Sequence, residues 1–362
     1  VRILHLYKDY FPVVGGIENH IRVLAESQAQ AGHSVSVLVC DPGHKTRKAT
    51  LNGVRIVKSG RLTTAASMPV SLGQPLALAQ SHPDVIHVQG PYPLGEISAA
   101  FLKPRTPLVL SYQSDVVRQR GWLRLYAPLL REVLRRVDRI LVSSPRYLDT
   151  SPWLQPVREK CAVVPLGVDS QRFAPPSEPY AGRPTLLFVG RLRYYKGLDT
   201  LLRALAALPE SVALRIVGTG EQHVPLQALA LELGIAGRVA FAGDVADADL
   251  PEQYHAATLF VLPANARAEA FGTVLLEAMA CALPCVTTEV GTGTSWVVQD
   301  GVTGRVVPPR DPGVLARAIA ELLADPEALR RMGRAARARV EAEFTQDHMV
   351  DRVMAAYQSV VE

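Results

Sequence analysis

Short β-branched runs alternate with helical stretches in two separate series, and one stretch dense in proline and glycine divides them. The first series runs Ile3 to Leu6, Val35 to Cys40, Val54 to Val57, Val85 to Val88, Leu108 to Tyr112, Ile140 to Ser143 and Ala162 to Val164. Helical stretches such as Ile17 to Gln30 lie between several of these runs, which is the mark of right-handed βαβ units. The break carries Pro165, Gly167, Pro175-Pro176, Pro179, Gly182 and Pro184, and that density reads as a linker. A second series follows: Thr185 to Gly190, Leu214 to Val217, Val239 to Phe241, Leu259 to Leu262, Cys285 to Thr288 and Arg305 to Val307. Helices dominate from Pro312, and a last one runs from Asp347 to Val360 after a break at Phe344-Thr345.

A chain of 362 residues, 48% hydrophobic, exceeds the size at which one core usually divides. The expectation is therefore α/β, with a Rossmann-like doubly wound domain over 1–166, a linker over 167–184 and a second such domain over 185–345. In doubly wound sheets ligands bind at the carboxyl ends of the strands, so two such domains facing one another create a cleft.

Several function classes drop out. No apolar run reaches the roughly 18 residues that span a bilayer, and Val1 leads directly into a strand-like run instead of a signal region. A cytoplasmic chain is the expectation. The cysteines Cys40, Cys161, Cys281 and Cys285 lack the partners of a zinc site and read as small core residues. Arg118, Arg120, Arg124, Arg131, Arg135, Arg136 and Arg139 crowd one stretch that also carries Trp122, Leu123, Leu125, Leu129, Leu130, Val133 and Leu134. Such a helix rests on anionic headgroups at the inner face of the membrane, or it is a core helix with a solvated basic face. No nucleic-acid module accompanies the arginines.

The most informative segment is Arg267-Ala268-Glu269-Ala270-Phe271-Gly272-Thr273-Val274-Leu275-Leu276-Glu277, which follows the strand ending at Leu262-Pro263. It places Glu269 in a loop, a helix start near Gly272, and Glu277 on that helix. Eight residues at about 1.5 Å rise span at most about 12 Å, comparable to a sugar joined through a diphosphate to a ribose. Glu269 is suited to sugar hydroxyls, the amides of Phe271, Gly272 and Thr273 to phosphate, and Glu277 to a ribose diol. The plainer reading is two glutamates that favour a helix dipole and solvent.

Gly190-Arg191-Leu192-Arg193-Tyr194-Tyr195-Lys196-Gly197 ends a strand and opens a helix. A departing nucleoside diphosphate needs fixed cations or a metal, and Arg191 and Lys196 are candidates. Gly15-Gly16 joins the first strand to the first helix and lets backbone approach a ligand; Gly218-Thr219-Gly220 follows a strand, where close packing explains it equally well.

Together with Asp300-Gly301-Val302-Thr303-Gly304, these segments resemble the GT-B retaining glycosyltransferases of family GT4, over nearly the whole chain. The resemblance implies two domains facing across a cleft, the N-terminal one for the acceptor, with the C-terminal helix 346–362 crossing back to it. It implies donor diphosphate on Arg191 and Lys196, the transferred sugar on Glu269, and ribose on Glu277. Gly15, Gly16, Gly190, Gly218, Phe271, Gly272 and Thr273 are the remaining donor-side positions. No cofactor and no metal are implied.

Family members often carry a histidine where this chain has Gln113, and a glutamine cannot carry a proton at neutral pH. Gln113 and Asp115 are the acceptor-side candidates. Asp247-Ala248-Asp249 imitates a metal-binding D-x-D motif, but helix capping explains it better. The expected partners are a nucleotide-sugar and a hydroxyl acceptor, and a lipid-linked acceptor would fit the arginine-rich helix. The run Glu289 to Ser295 resembles bacterial mannosyl- and rhamnosyltransferases of surface polysaccharide assembly, which favours GDP-mannose over a UDP-sugar such as UDP-glucose. A GT-B-like nucleotide-sugar epimerase and a two-domain sugar-binding protein are the rivals.

Overall fold

The computed structural model describes the chain except residues 14, 66–67, 116–119, 179 and 362, with backbone alone described at 65 and 120–125. Its two compact units are Val1–Pro165 together with the chain from Asp347 onward, and Leu166–Gln346.

The first unit holds β1 (Arg2–Leu6), α1 (Gly16–Gln30), β2 (Ser34–Cys40), β3 (Arg47–Leu51), β4 (Val54–Ser59), β5 (Thr63–Ala65) and β6 (Met68–Val70). It continues with α2 (Gly73–Gln80), β7 (Val85–Gly90), α3 (Pro93–Leu102), β8 (Leu108–Tyr112), α4 (Arg120–Arg136), β9 (Arg139–Val142), α5 (Pro145–Thr150) and β10 (Cys161–Val163). Eight strands form one sheet in the order β10-β9-β8-β7-β1-β2-β4-β3, and strand order reverses between β1 and β7. β7 is buried along its whole length, with Val85, Ile86 and Val88 apolar and His87 and Gln89 polar among them. β3 has no apolar pattern because it is a fully exposed edge strand, antiparallel to β4. Its basic residues suit an edge, and Asn52-Gly53, both at positive φ, turns the chain into β4.

The second unit contains β11 (Thr185–Val189), α6 (Leu198–Ala206), β12 (Ala213–Val217), α7 (His223–Glu232), β13 (Val239–Gly243), α8 (Leu250–His255) and β14 (Leu259–Leu262). After these come α9 (Thr273–Ala280), β15 (Cys285–Thr288), α10 (Thr294–Val297), β16 (Gly304–Val307), α11 (Pro312–Ala324) and α12 (Pro326–Glu343). Its sheet order, β13-β12-β11-β14-β15-β16, is the Rossmann order, with all neighbours parallel. The switch point lies between β11 and β14. Ligands of such sheets sit outside the carboxyl ends there, which is where the loops after Val189 and Leu262 begin.

The last helix, α13 (Gln346–Val361), sends Met349, Val353 and Tyr357 into the core of the first unit, against the cluster of Ile3, Leu24 and Val35. Their spacing of four residues aligns them on one helix face. Residues 167–184, read from the sequence as a linker, hold two residues tied to the second unit. Phe173 is buried against Tyr254, and Val168 bridges to Thr345.

In the arginine-rich helix, Leu130, Val133 and Leu134 are core residues, so this part of the apolar stripe faces inward. Arg131, Arg135 and Arg136 are exposed; Arg135 and Arg136 pair with Glu132. Arg118 lies outside the described residues, as do the side chains of Arg120, Trp122, Leu123, Arg124 and Leu125. Cys40, Cys281 and Cys285 are buried and Cys161 is half-buried, all as free thiols. Among the described residues no helix is long and apolar enough to cross a membrane.

Candidate active site

Two glycines shape the first wall. Gly190, at φ +143°, ends β11, and a Cβ there would stand 3.6 Å from Lys196 Nζ, so the ammonium lies close to this bend. Gly197 occupies the left-handed region at φ +71° and precedes α6; a Cβ on it would meet Pro263 O at 1.9 Å. No side chain fits there, and the resulting close approach joins the loop after β11 to the loop after β14. Asn265 reinforces that join, its amide donating to Tyr195 O at 2.9 Å and its side chain to Tyr194 O at 3.0 Å.

Across this join Lys196 meets Glu269, Nζ to Oε2 at 2.5 Å. Both residues are more than nine-tenths buried. Burial works against the Lys196 charge, but Glu269, Tyr195 and Glu277 outweigh it, and the ammonium is held above the ordinary lysine range. Arg191 is exposed on the same loop.

The Glu269 loop is clamped from behind. Thr292 donates to Glu269 O at 2.7 Å, Gly293 N to Ala270 O at 2.8 Å, and Arg267 to Gly291 O at 2.6 Å. Gly293 is needed because a Cβ would stand 2.7 Å from the Phe271 ring. The Glu289 to Ser295 run thus has a structural task at this site. Phe271 itself is buried beside Trp296 and Phe344, which leaves only its backbone for a ligand. Gly272, at φ +81°, precedes α9, and Thr273 is its first residue. The Leu275 amide bonds back to Gly272 O at 2.8 Å, while a helix start leaves the amides before it without intrahelical partners and carries partial positive charge.

Glu277 lies farther along α9. Burial pushes its carboxyl up to about 7, and Asp247 adds to that, while Tyr254, Arg172 and Lys196 act in the opposite direction. Tyr254 donates to Glu277 Oε2 at 2.6 Å. Gly218, at φ +119°, has a packing reason of its own, since a Cβ would lie 2.2 Å from Gly190 O.

The remaining candidates belong to the first unit. Gly15 precedes α1 with the Glu18 carboxylate folded back against it, and a Cβ on Gly16 would meet nothing within 4 Å. Gln113 follows β8 and donates through Nε2 to Gln89 Oε1 at 2.8 Å. Asp115 accepts from the hydroxyls of Tyr112 at 3.0 Å and Ser151 at 2.8 Å. Behind Gln113 runs a buried polar chain with no counterpart among the sequence candidates. Gln89 Nε2 lies 3.2 Å from His87 Nε2, and His87 Nδ1 lies 2.6 Å from the Tyr357 hydroxyl.

Asp247 does not cap. Neither it nor Asp249 makes a side-chain cap bond, and Asp247 instead accepts from Arg172 at 3.1 Å. The reason is tertiary: the packed 167–184 segment brings the guanidinium within reach. Among the described residues no three His, Cys, Asp or Glu side chains gather as metal ligands would.

The fold and the switch-point site define a class, the two-domain GT-B transferases. A family model for glycosyl transferases group 1 matches residues 169–339, and one for glycosyltransferase family 4 matches residues 14–172. The O-antigen chain mannosyltransferase C of Escherichia coli is 35% identical over 100% of this chain and 99% of its own. The D-rhamnosyltransferase WbpZ of Pseudomonas aeruginosa is 35% identical over 95% of this chain and 92% of its own. Among solved structures, a sucrose-phosphate synthase from Thermosynechococcus elongatus superposes with a TM-score of 0.84 at 24% identity, covering 99% of this chain and 98% of that one. The chain belongs to the group 1 glycosyl transferases of family GT4 and is a glycosyltransferase. The epimerase and binding-protein readings fall with that membership.

Proposed function

We propose that this glycosyltransferase transfers mannose from GDP-mannose to a hydroxyl acceptor in surface polysaccharide assembly, with retention of configuration and without a metal ion. The observation that carries the reading is the buried Lys196–Glu269 pair beside the N-terminus of α9, with Glu277 farther along the same helix. The cation and the amides suit a diphosphate, with Glu269 before them suited to a sugar and Glu277 after them to a ribose. What supports mannose and the polysaccharide role is the end-to-end likeness to an O-antigen chain mannosyltransferase.

In this reading the amides of Phe271, Gly272 and Thr273, with Arg191 and Lys196, take the diphosphate, helped by the bare backbone at Gly190 and Gly218. Glu269 accepts hydrogen bonds from the sugar and Glu277 from the ribose. The acceptor oxygen bonds to the anomeric carbon on the face from which the diphosphate leaves. The carbon–oxygen bond to the diphosphate breaks, and the acceptor proton passes to the departing phosphate oxygen. Lys196 and Arg191 stabilise the charge that builds there. Gln113 and Asp115 serve the acceptor side, Gln113 as a hydrogen-bonding group only.

The test offers GDP-mannose, UDP-glucose, UDP-N-acetylglucosamine and dTDP-rhamnose with a lipid-linked oligosaccharide acceptor in excess chelator. Release of GDP, with an α-linked product seen by NMR, is expected. Turnover of UDP-glucose alone would replace the mannose reading, dependence on added metal would remove the metal-free step, and an inverted product would remove retention.

A further inference from the structure

Tyr254 touches no group that reacts, yet it is built into the site. It sits on α8, is about 1% exposed, and its ring is fixed by Phe173 at 5.8 Å and Phe260 at 5.7 Å between centroids. Its hydroxyl donates to Glu277 Oε2 at 2.6 Å, the length of a charge-assisted bond. Among the described residues no second hydrogen bond reaches the Glu277 carboxylate.

We infer that Tyr254 is a positioning residue for nucleotide binding, whose fixed hydroxyl locks the Glu277 carboxylate in one orientation and leaves Oε1 to accept from the ribose diol. This rests on the proposed function, in which Glu277 receives the ribose. An oxygen that accepts from a diol must be held in a defined position, and a half-buried glutamate on a helix has several rotamers without such an anchor.

The electrostatics give the arrangement a measurable signature. Tyr254, Arg172, Asp247 and Lys196 bear on Glu277, and Glu277 bears in turn on Cys281. With its carboxyl pushed up to about 7, Glu277 gains a proton as the pH falls through neutrality, and a protonated oxygen no longer accepts as the carboxylate does. The Tyr254 bond favours the charged form, so its removal raises the pH at which this happens.

The experiment titrates GDP, UDP and the 2′-deoxy form of whichever binds into the wild type, Tyr254→Phe, Glu277→Ala and the double variant, from pH 6 to 8.5. Tyr254→Phe is expected to weaken the ribonucleotide roughly tenfold at pH 7.5, a charge-assisted bond's worth, and to erode its advantage over the deoxy form. In the Glu277→Ala background the same change should cost nothing further. A Tyr254→Phe protein with undiminished preference for ribose, while Glu277→Ala loses it, overturns the inference alone. Undiminished binding by Glu277→Ala overturns the ribose reading beneath it. Should Tyr254→Phe fail to fold, the wild type decides: its preference for ribose must decline as pH drops through about 7, and a flat profile refutes the arrangement.

Discussion

Lys196→Met cuts the buried ion pair and so tests stability and catalysis together. At 2.5 Å and an effective dielectric of about 20, the attraction between Lys196 and Glu269 is about 7 kcal/mol before desolvation. Losing one member of such a pair leaves the other buried without compensation, which costs about 3–5 kcal/mol. A shift of about 2–4 °C per kcal/mol for a domain of this size puts the expected loss in Tm at roughly 6–20 °C. Glu269→Gln alone strands the lysine and should cost a similar amount, whereas Lys196→Met with Glu269→Gln removes both charges and should recover most of the loss. Turnover should not recover: removing the cation from the leaving group costs about 10²–10³ in kcat. The assay pairs scanning calorimetry with GDP release under donor saturation. A single variant as stable as the wild type, or a double variant no better than either single one, would refute the idea that the pair is a buried, mutually compensated charge. Near-normal kcat in Lys196→Met would remove Lys196 from the mechanism.

Acid should weaken the first unit. Burial lowers His5 to about 4 and His20 to about 3, and it holds His87 well below the usual imidazole range. The unfolded chain takes up protons near pH 6.5 that the folded chain refuses, so this stability is present above 6.5 and is lost as pH falls toward 4. At pH 5 each of these histidines forfeits roughly 2 kcal/mol, partly offset by Glu96, whose raised value acts the other way. Urea midpoints that stay level from pH 7 to pH 5 would contradict it. At the surface, Leu130, Val133 and Leu134 are in the core, so among the described side chains of α4 any hold on anionic vesicles runs through the exposed arginines. Arg131→Glu with Arg135→Glu should then release the protein from phosphatidylglycerol vesicles at low salt, each residue accounting for about 1 kcal/mol. Unchanged retention would take this part of α4 out of membrane contact.

Most of the second unit was legible because β11, β14 and β15 are buried runs flanked by glycine or proline, and its candidate site lies on two continuous segments. Glu269 and Glu277 share one loop and helix, and Gly190 to Gly197 is unbroken. β3 escaped because an exposed edge strand carries no apolar pattern, although Asn52-Gly53 marked its turn. The capping role read into Asp247 failed because its partner, Arg172, stands 75 residues earlier in the chain.

By itself the sequence determined the two alternating series, the Rossmann elements and the spacing of the candidate donor-site residues. These follow from backbone propensity and local periodicity, which act over a few residues. Which side chains meet was decided only by the tertiary structure. Lys196 finds Glu269 because Gly197 admits Pro263, Tyr254 reaches Glu277 across two helices, and Tyr357 reaches His87 over 270 residues of chain. Burial then sets the charge on these groups, and burial is a property of the packed molecule.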